Sequence, residues 1–431
     1  PGERKDLIAQ VNELQRHRIE TVGGISTEDG PRLGLSYSHL NLFGTASTLT
    51  SSAKLNRQLP ALFRFLYGSQ GNSLQQRYDD YTSTTDQLTK ALERELRLGV
   101  RSPQFVGLPL TPLLRLDVTD LRDNKTSYSL DATAATFGVE FFFGRHLKID
   151  MGPQISLTRV ECTSPLANCG EQVQQDTQST RKVNQGSRVG LNLGSTLTYD
   201  LRNSPFNPTK GFILSLSGQY ALGAFTADPT QVKVLNQFEE PSYVFTKVES
   251  RMTAYLPLGK SVLALALWGG TISMMKGELD DTPLDERFFL GGRSDLRGFQ
   301  EESLIPEDAC YQRGATNPDC KLKLPAVEQN KDGDPALSAF PSLGGNFYAL
   351  AKAELRLPIT QLLSLDLFVD AGNLWMYRPE QEYLKLRFGT GLGISLATPV
   401  GPLSFSVGFN PQWRASNLES PVEYYFSIGQ F

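Results

Sequence analysis

Residues 187–201, SRVGLNLGSTLTYDL, place Val189, Leu191, Leu193, Leu197, Tyr199 and Leu201 on one face and Arg188, Asn192, Thr196, Thr198 and Asp200 on the other. That period of two predicts a β-strand with one apolar and one polar face. The same alternation recurs in YVFTKVESRMTAYL, where Val244, Val248, Met252, Ala254 and Leu256 oppose Lys247, Glu249 and Arg251. It recurs in EYLKLRFGTGLGISL, where Leu384, Leu386, Phe388, Leu392, Ile394 and Leu396 oppose Lys385, Arg387, the glycines and Ser395. About sixteen such segments begin near 18, 31, 46, 93, 111, 126, 145, 187, 210, 243, 261, 345, 361, 383, 401 and 421. Each is close to the roughly 10 residues that a tilted strand needs to cross a bilayer.

The connections sort by parity. NLFGT, GRH, PLGK, PIT and TPVGP are short, RNSPFNPTKG is somewhat longer, and the alternate connections at 58–92, 163–186, 224–242 and 277–344 are long and polar. A soluble β-sandwich has no reason to sort its loops this way, whereas an outer-membrane barrel has short periplasmic turns and long extracellular loops. The expected fold is therefore all-β: a transmembrane antiparallel β-barrel of about 16 strands, apolar face to lipid and charged face to a polar lumen. The barrel is expected over residues 18–431, with a long sixth surface loop at about 277–344 folded into the lumen. Residues 1–17 are expected to form a linker or short helix, since Leu7, Val11 and Leu14 have helical spacing. No secretory signal opens the sequence, so the chain reads as starting after a targeting signal or after a further domain.

Composition changes this picture little. The 431 residues are 39% hydrophobic with a mean hydropathy of −0.27, and the most apolar run, SVLALALWGGTISMM, is too interrupted to be a spanning helix. A net charge of −4 argues against a nucleic-acid partner. Enzyme motifs are absent: His17, His39 and His146 lie in no HExxH, no GxSxG elbow is present, and PLGKS has Ala254 where a phosphate loop needs its first glycine. We expect no enzyme, no cofactor and no metal. NKDGDP carries Asp332 and Asp334, two calcium-type carboxylates, but lacks the rest of an EF-hand pattern.

A sixteen-stranded barrel is too wide for side chains to fill, so a long loop can fold inward and needs an anchor on the wall. In GGRSDLRGF, Gly291, Gly292 and Gly298 let the backbone turn and approach closely, and Arg297 offers a planar fork of donors. Parity in NFYALAKAELRLP and SLDLFVDAGNLW turns Glu354 and Asp370 into the lumen on neighbouring strands, which makes them the expected acidic partners of Arg297.

With these residues the sequence resembles the family of outer-membrane β-barrel assembly proteins typified by BamA and TamA. Arg297-Gly298-Phe299 and FVDAGNLW (368–375) match that family's sixth-loop motif and its acidic strand motif, in order and with the right number of strands between them. The likeness extends to STEDGPRLGLSYSHLNLFG, TYDLRNSPFNPTKGF and the last strand, EYYFSIGQF. The resemblance implies insertion of unfolded outer-membrane β-barrel clients into the bilayer of a Gram-negative outer membrane, with periplasmic accessory subunits as further partners. It also implies periplasmic POTRA repeats, expected either upstream of residue 1 or lost. The alternative is a two-partner-secretion pore exporting one dedicated protein.

The first strand, IETVGGIST, carries Gly23 and Gly24, which weaken pairing, so its seam with the last strand, at Tyr424, Phe426 and Ile428, is the expected lateral gate. All four cysteines fall in two long loops, Cys162 with Cys169 and Cys310 with Cys320, in an arrangement suited to an oxidising compartment. Two local disulfides, 162 to 169 and 310 to 320, are the expected result of peptide mapping without reductant; free thiols or cross-loop pairing would contradict it.

Overall fold

The computed structural model describes residues 15–27, 30–57, 92–102, 112–124, 128–162, 186–205, 207–226, 241–311, 322–324, 342, 344–379, 384–398, 401–414 and 419–429. The expected helix near Leu7, the carboxylates Asp332 and Asp334, and the pairing of the four cysteine side chains lie outside the described residues.

Alternation produces the architecture directly. The strands are β1 (His17–Ser26), β2 (Gly30–Leu42), β3 (Ser47–Asn56), β4 (Glu93–Ser102), β5 (Leu113–Asn124) and β6 (Tyr128–Phe143). They continue with β7 (Leu147–Cys162), β8 (Gly186–Asp200), β9 (Gly211–Thr226), β10 (Tyr243–Leu258) and β11 (Ser261–Lys276). After a long excursion containing β12 (Ala309–Tyr311) and β13 (Leu322–Leu324) come β14 (Phe347–Pro358), β15 (Leu363–Trp375), β16 (Arg387–Thr398), β17 (Gly401–Phe409) and β18 (Val422–Gly429). Sixteen of them close into one barrel in sequence order, every neighbour antiparallel, with β1 meeting β18; β12 and β13 form a separate parallel pair within the sixth loop.

The largest displacement from expectation is at β16, which starts at Arg387 rather than near 383. Residues 384–386 approach the wall without ladder pairing, and the Lys385 carbonyl instead accepts from Asn373 Nδ2 at 2.5 Å.

The apolar residues of the alternation are on the outside, as in Leu33, Leu193, Leu267 and Val369. A band of exposed aliphatic side chains is unfavourable in water and favourable in lipid. Among the described residues, alternation breaks inside in two clusters, a small one of Leu130 on β6 and Val160 on β7 with Leu284 and Ile305 of the sixth loop, and a larger one. Tyr243, Phe245, Ile272, Tyr348, Leu350 and Leu374 face the lumen on β10, β11, β14 and β15, and all are buried. They pack with Phe288, Leu290, Leu296, Phe299 and Leu304 of the sixth loop in one cluster. Burying that apolar surface holds the loop against the inner wall.

The wall is uneven in height. The strands β6 to β11 have 15 or 16 residues, whereas β1 has 10, β17 has 9 and β18 has 8. Both sides of the closing seam are built from the short ones.

Leu267, 65% exposed at the middle of β11, tests which solvent this face meets. Leu267→Arg should destabilise the barrel in vesicles by about 2–4 kcal/mol, and Met275→Arg near the strand end by about 0–1 kcal/mol. Reversible denaturant unfolding reads both, and equal small effects would argue against lipid at Leu267.

Candidate functional site: a loop pinned across the lumen

Loop six leaves β11 and doubles back over the inner wall. Its base is closed by a bridge in which Phe288 N donates to Gly345 O at 2.9 Å and Gly345 N donates to Phe288 O at 2.8 Å. Within it, Gly292 N donates to Phe299 O at 3.0 Å and Leu304 N donates to Leu290 O at 3.1 Å, which folds 290–304 into a hairpin-like tongue. Gly291 and Gly292 sit at φ 117° and 100°, where a side chain would be strained.

At the tip of the tongue, Arg297 is 7% exposed and Asp370 is fully buried. Arg297 Nε donates to Asp370 Oδ2 at 2.7 Å and Nη2 to Asp370 Oδ1 at 2.8 Å, a two-bond fork on one carboxylate. Nη1 donates to Glu354 Oε2 at 2.5 Å, and the Arg297 backbone N–H adds a bond to Asp370 Oδ2 at 3.2 Å. The guanidinium also lies 3.7 Å from the Phe368 ring centroid, between the two carboxylates in sequence. Burial works against the charged form of Arg297, but the Asp370 hydrogen bonds and the charges of Asp370 and Glu354 outweigh it. The guanidinium therefore holds its proton more tightly than a free arginine.

The backbone beside this pin rests on glycine. A Cβ at Gly389 of β16 would lie 1.5 Å from the Arg297 carbonyl oxygen, and one at Gly408 of β17 would lie 2.6 Å from Gly298 N. Gly298 itself has φ 97°, and a Cβ there would meet Phe409 O at 2.9 Å. The glycines on the inward face of β16 and β17 thus form a bare track along which the tongue lies in backbone contact.

Two further anchors were not apparent from the sequence. At the far side, the 3-10 turn Leu284–Glu286 presents Asp285 to Arg188 of β8, and Lys247 Nζ of β10 donates to the Glu286 carbonyl at 2.7 Å. Arg188 is 5% exposed and also donates to Tyr243 Oη at 2.7 Å. At the near side, Tyr425 of β18 bonds the tongue directly, its hydroxyl accepting from Gly298 N at 2.8 Å. Loop six therefore spans from β8 and β10, through β14 and β15, to β18.

The seam residues are arranged differently. Gly24 pairs with Gly429, Ile25 with Ile428 and Ser26 with Ser427, while Gly23 has no β18 partner among the described residues. A Cβ at Gly23 would make only an ordinary 3.7 Å contact with Leu33, so packing does not demand glycine there. Tyr424 and Phe426 pair with Val407 and Phe405 of β17; Phe426 O also accepts from Thr27 N at 3.0 Å, extending the seam by one bond.

The glycine track makes a steric prediction. Gly389→Ala should push the Arg297 peptide off the wall at about 1–3 kcal/mol and speed protease cleavage of loop six. Gly194→Ala on β8, where a Cβ meets nothing within 4 Å, should leave cleavage unchanged. Equal cleavage in the two variants would mean that the tongue does not lie in backbone contact at Gly389.

Comparison with known proteins agrees with this geometry. The barrel resembles that in the crystal structure of BamA from Haemophilus ducreyi lacking POTRA domains 1-3, with a TM-score of 0.65 at 17% identity, covering 97% of this chain and 70% of that one. It also resembles CdiB from Acinetobacter baumannii, with a TM-score of 0.52 at 12% identity, covering 97% of this chain and 60% of that one. In sequence it is 22% identical over 260 residues to the outer membrane protein assembly factor BamA of Nitratidesulfovibrio vulgaris, a match covering 60% of this chain and 28% of the length of that relative. The Omp85 superfamily domain model matches residues 41–431. The chain belongs to the Omp85 superfamily, and it is a β-barrel of the Gram-negative outer membrane.

Proposed function

We propose that this barrel inserts outer-membrane β-barrel clients into the bilayer through the seam between β1 and β18. The observation that carries this reading is the mismatch in pairing on the two edges of β1. Ten residues of β1, His17 to Ser26, pair with β2, but only Gly24, Ile25 and Ser26 pair with β18. Among the described residues the edge from His17 to Gly23 has no second neighbour. An open edge presents a row of N–H and C=O groups, a hazard in isolation and a template for an incoming strand. The client strand gains hydrogen bonds that lipid cannot supply, so no nucleotide is required to drive the step.

The short strands at the seam support the same reading, because they lower the wall where a client would pass sideways into lipid. The relative from N. vulgaris, named as an assembly factor, points to the same class of partner. The bilayer is the second partner, and periplasmic accessory subunits are the third. In this reading Arg297, Asp370 and Glu354 hold loop six in the lumen while the seam works.

The likeness to CdiB favours a second reading, export of a dedicated protein through the lumen, in which loop six would have to leave its track. One experiment separates the two. In a chain with its native cysteines replaced by serine, Ile25→Cys and Ile428→Cys place thiols on registered partners across the seam. Oxidation should stop client insertion into vesicles and reduction should restore it. Full insertion by the locked barrel would overturn the seam reading, and a locked barrel that still passes a dedicated partner would establish the export reading.

A further inference from the structure

We infer that Tyr425 latches the last barrel strand to loop six, so that the Arg297 pin controls how readily the seam opens. The inference deepens the seam reading above, but it concerns the resting barrel and can be measured without any client.

With 8 residues, β18 is the shortest barrel strand, and it pairs with β17 at seven positions, Leu403–Ile428 through Phe409–Val422. Among the described residues its other edge has the three pairs at the seam. Few ladder bonds therefore hold it, and its inward face must contribute. That face carries Glu423, Tyr425 and Ser427, which are 0%, 2% and 3% exposed.

A phenol has one proton to donate and lone pairs to accept with, and Tyr425 uses both. Its oxygen accepts from Gly298 N at 2.8 Å, and its O–H donates to Phe299 O at 2.7 Å. The Gly298 N–H belongs to the same peptide unit as the Arg297 carbonyl that rests on Gly389. Two residues along the same face, Ser427 Oγ accepts from Arg293 Nη1 at 2.8 Å, and Ser427 is the strand partner of Ser26 on β1. The tongue thus grips β18 at two points spaced by one strand repeat, and one of those points belongs to the seam itself.

The consequence is mechanical. Moving β18 away from the lumen strips both Tyr425 bonds; it leaves the buried Gly298 N–H without its acceptor and Phe299 O with only its bond from Gly292 N, which is costly. The tongue cannot follow, because the Arg297 guanidinium holds it to Asp370 and Glu354 on β15 and β14. Releasing Arg297 frees the tongue to travel with β18 and removes that cost. Tyr425 is accordingly a positioning residue through which the pin acts on a strand that Arg297's side chain does not touch.

Amide hydrogen exchange of the full chain in lipid nanodiscs tests this. Tyr425→Phe keeps the ring and removes the hydroxyl. It should raise exchange in peptides spanning 422–429 and at Thr27, whose N–H closes the seam onto Phe426, on the order of tenfold. Peptides of β14 and β15 should keep their rates. Arg297→Lys should also raise seam exchange in the wild-type background but add nothing to Tyr425→Phe. A general loosening would instead raise exchange in β14 and β15 as well, and would overturn the inference. So would an unchanged seam in Tyr425→Phe, or an Arg297→Lys effect of the same size with and without the hydroxyl. Ser427→Ala, which removes the Arg293 acceptor, should give a smaller rise in the same peptides; a silent result there alongside a silent Tyr425→Phe rejects the latch outright. If exchange behaves as expected while the seam lock leaves insertion intact, the latch stands and the insertion route falls.

Discussion

A guanidinium held between two carboxylates inside a wide barrel is the interaction on which the rest of this arrangement depends. Arg297 is buried, and a buried charge without partners is prohibitively costly. Asp370 and Glu354 resolve that cost and in doing so fix where on the wall the tip of loop six rests. Such a pair adds little net stability compared with apolar packing, but breaking it from one side is expensive. Its contribution is position. The tongue must lie where the inward faces of β16 and β17 are glycine, because any Cβ at Gly389 would occupy the space of the Arg297 carbonyl.

Once the tip is fixed, the remaining anchors turn the loop into a strut. Asp285 and Arg188 hold its first part to β8, the apolar cluster around Phe245 and Leu296 holds its middle, and Tyr425 ties its tip to β18. The strut ends at the weakest part of the wall. Strands β17 and β18 are short, and among the described residues β18 has three partners on β1 where β1 has ten on β2. A closed barrel normally abolishes sheet edges. Here the described seam has three ladder pairs, and the lumen loop supplies further bonds to the closing strand.

Much of this was legible in the sequence, for a physical reason. Side-chain parity along a strand is strict, so polar alternation in β8, β10 and β16 revealed both the barrel and which face meets lipid. The same parity turned Glu354 and Asp370 inward on adjacent strands, within reach of Arg297. What parity could not reveal was contact across the lumen. Arg188 and Asp285 are 97 positions apart, and nothing local marks them as partners. The expected gate named Tyr424, Phe426 and Ile428 on the last strand, while Tyr425, on the opposite face, makes the bonds to the loop. An inward tyrosine between polar Glu423 and Ser427 was the available signal, since a buried phenol needs a partner for its hydroxyl. The glycines of β16 showed in the sequence only as part of the face opposite the apolar one, and their role as a track follows only from the backbone that lies on them.

The central claim is that Arg297 and Asp370 act as one unit, and a double-mutant cycle tests it most directly. Loop-six opening free energy, from protease cleavage rates in vesicles, would be compared for wild type, Arg297→Ala, Asp370→Asn and the double variant. Each single change should cost about 3–5 kcal/mol, largely because the surviving partner is left buried and unpaired. The double variant should cost no more than the larger single change. Losses that simply add would mean that the two residues stabilise the loop independently, and would contradict a pin at the lumen wall.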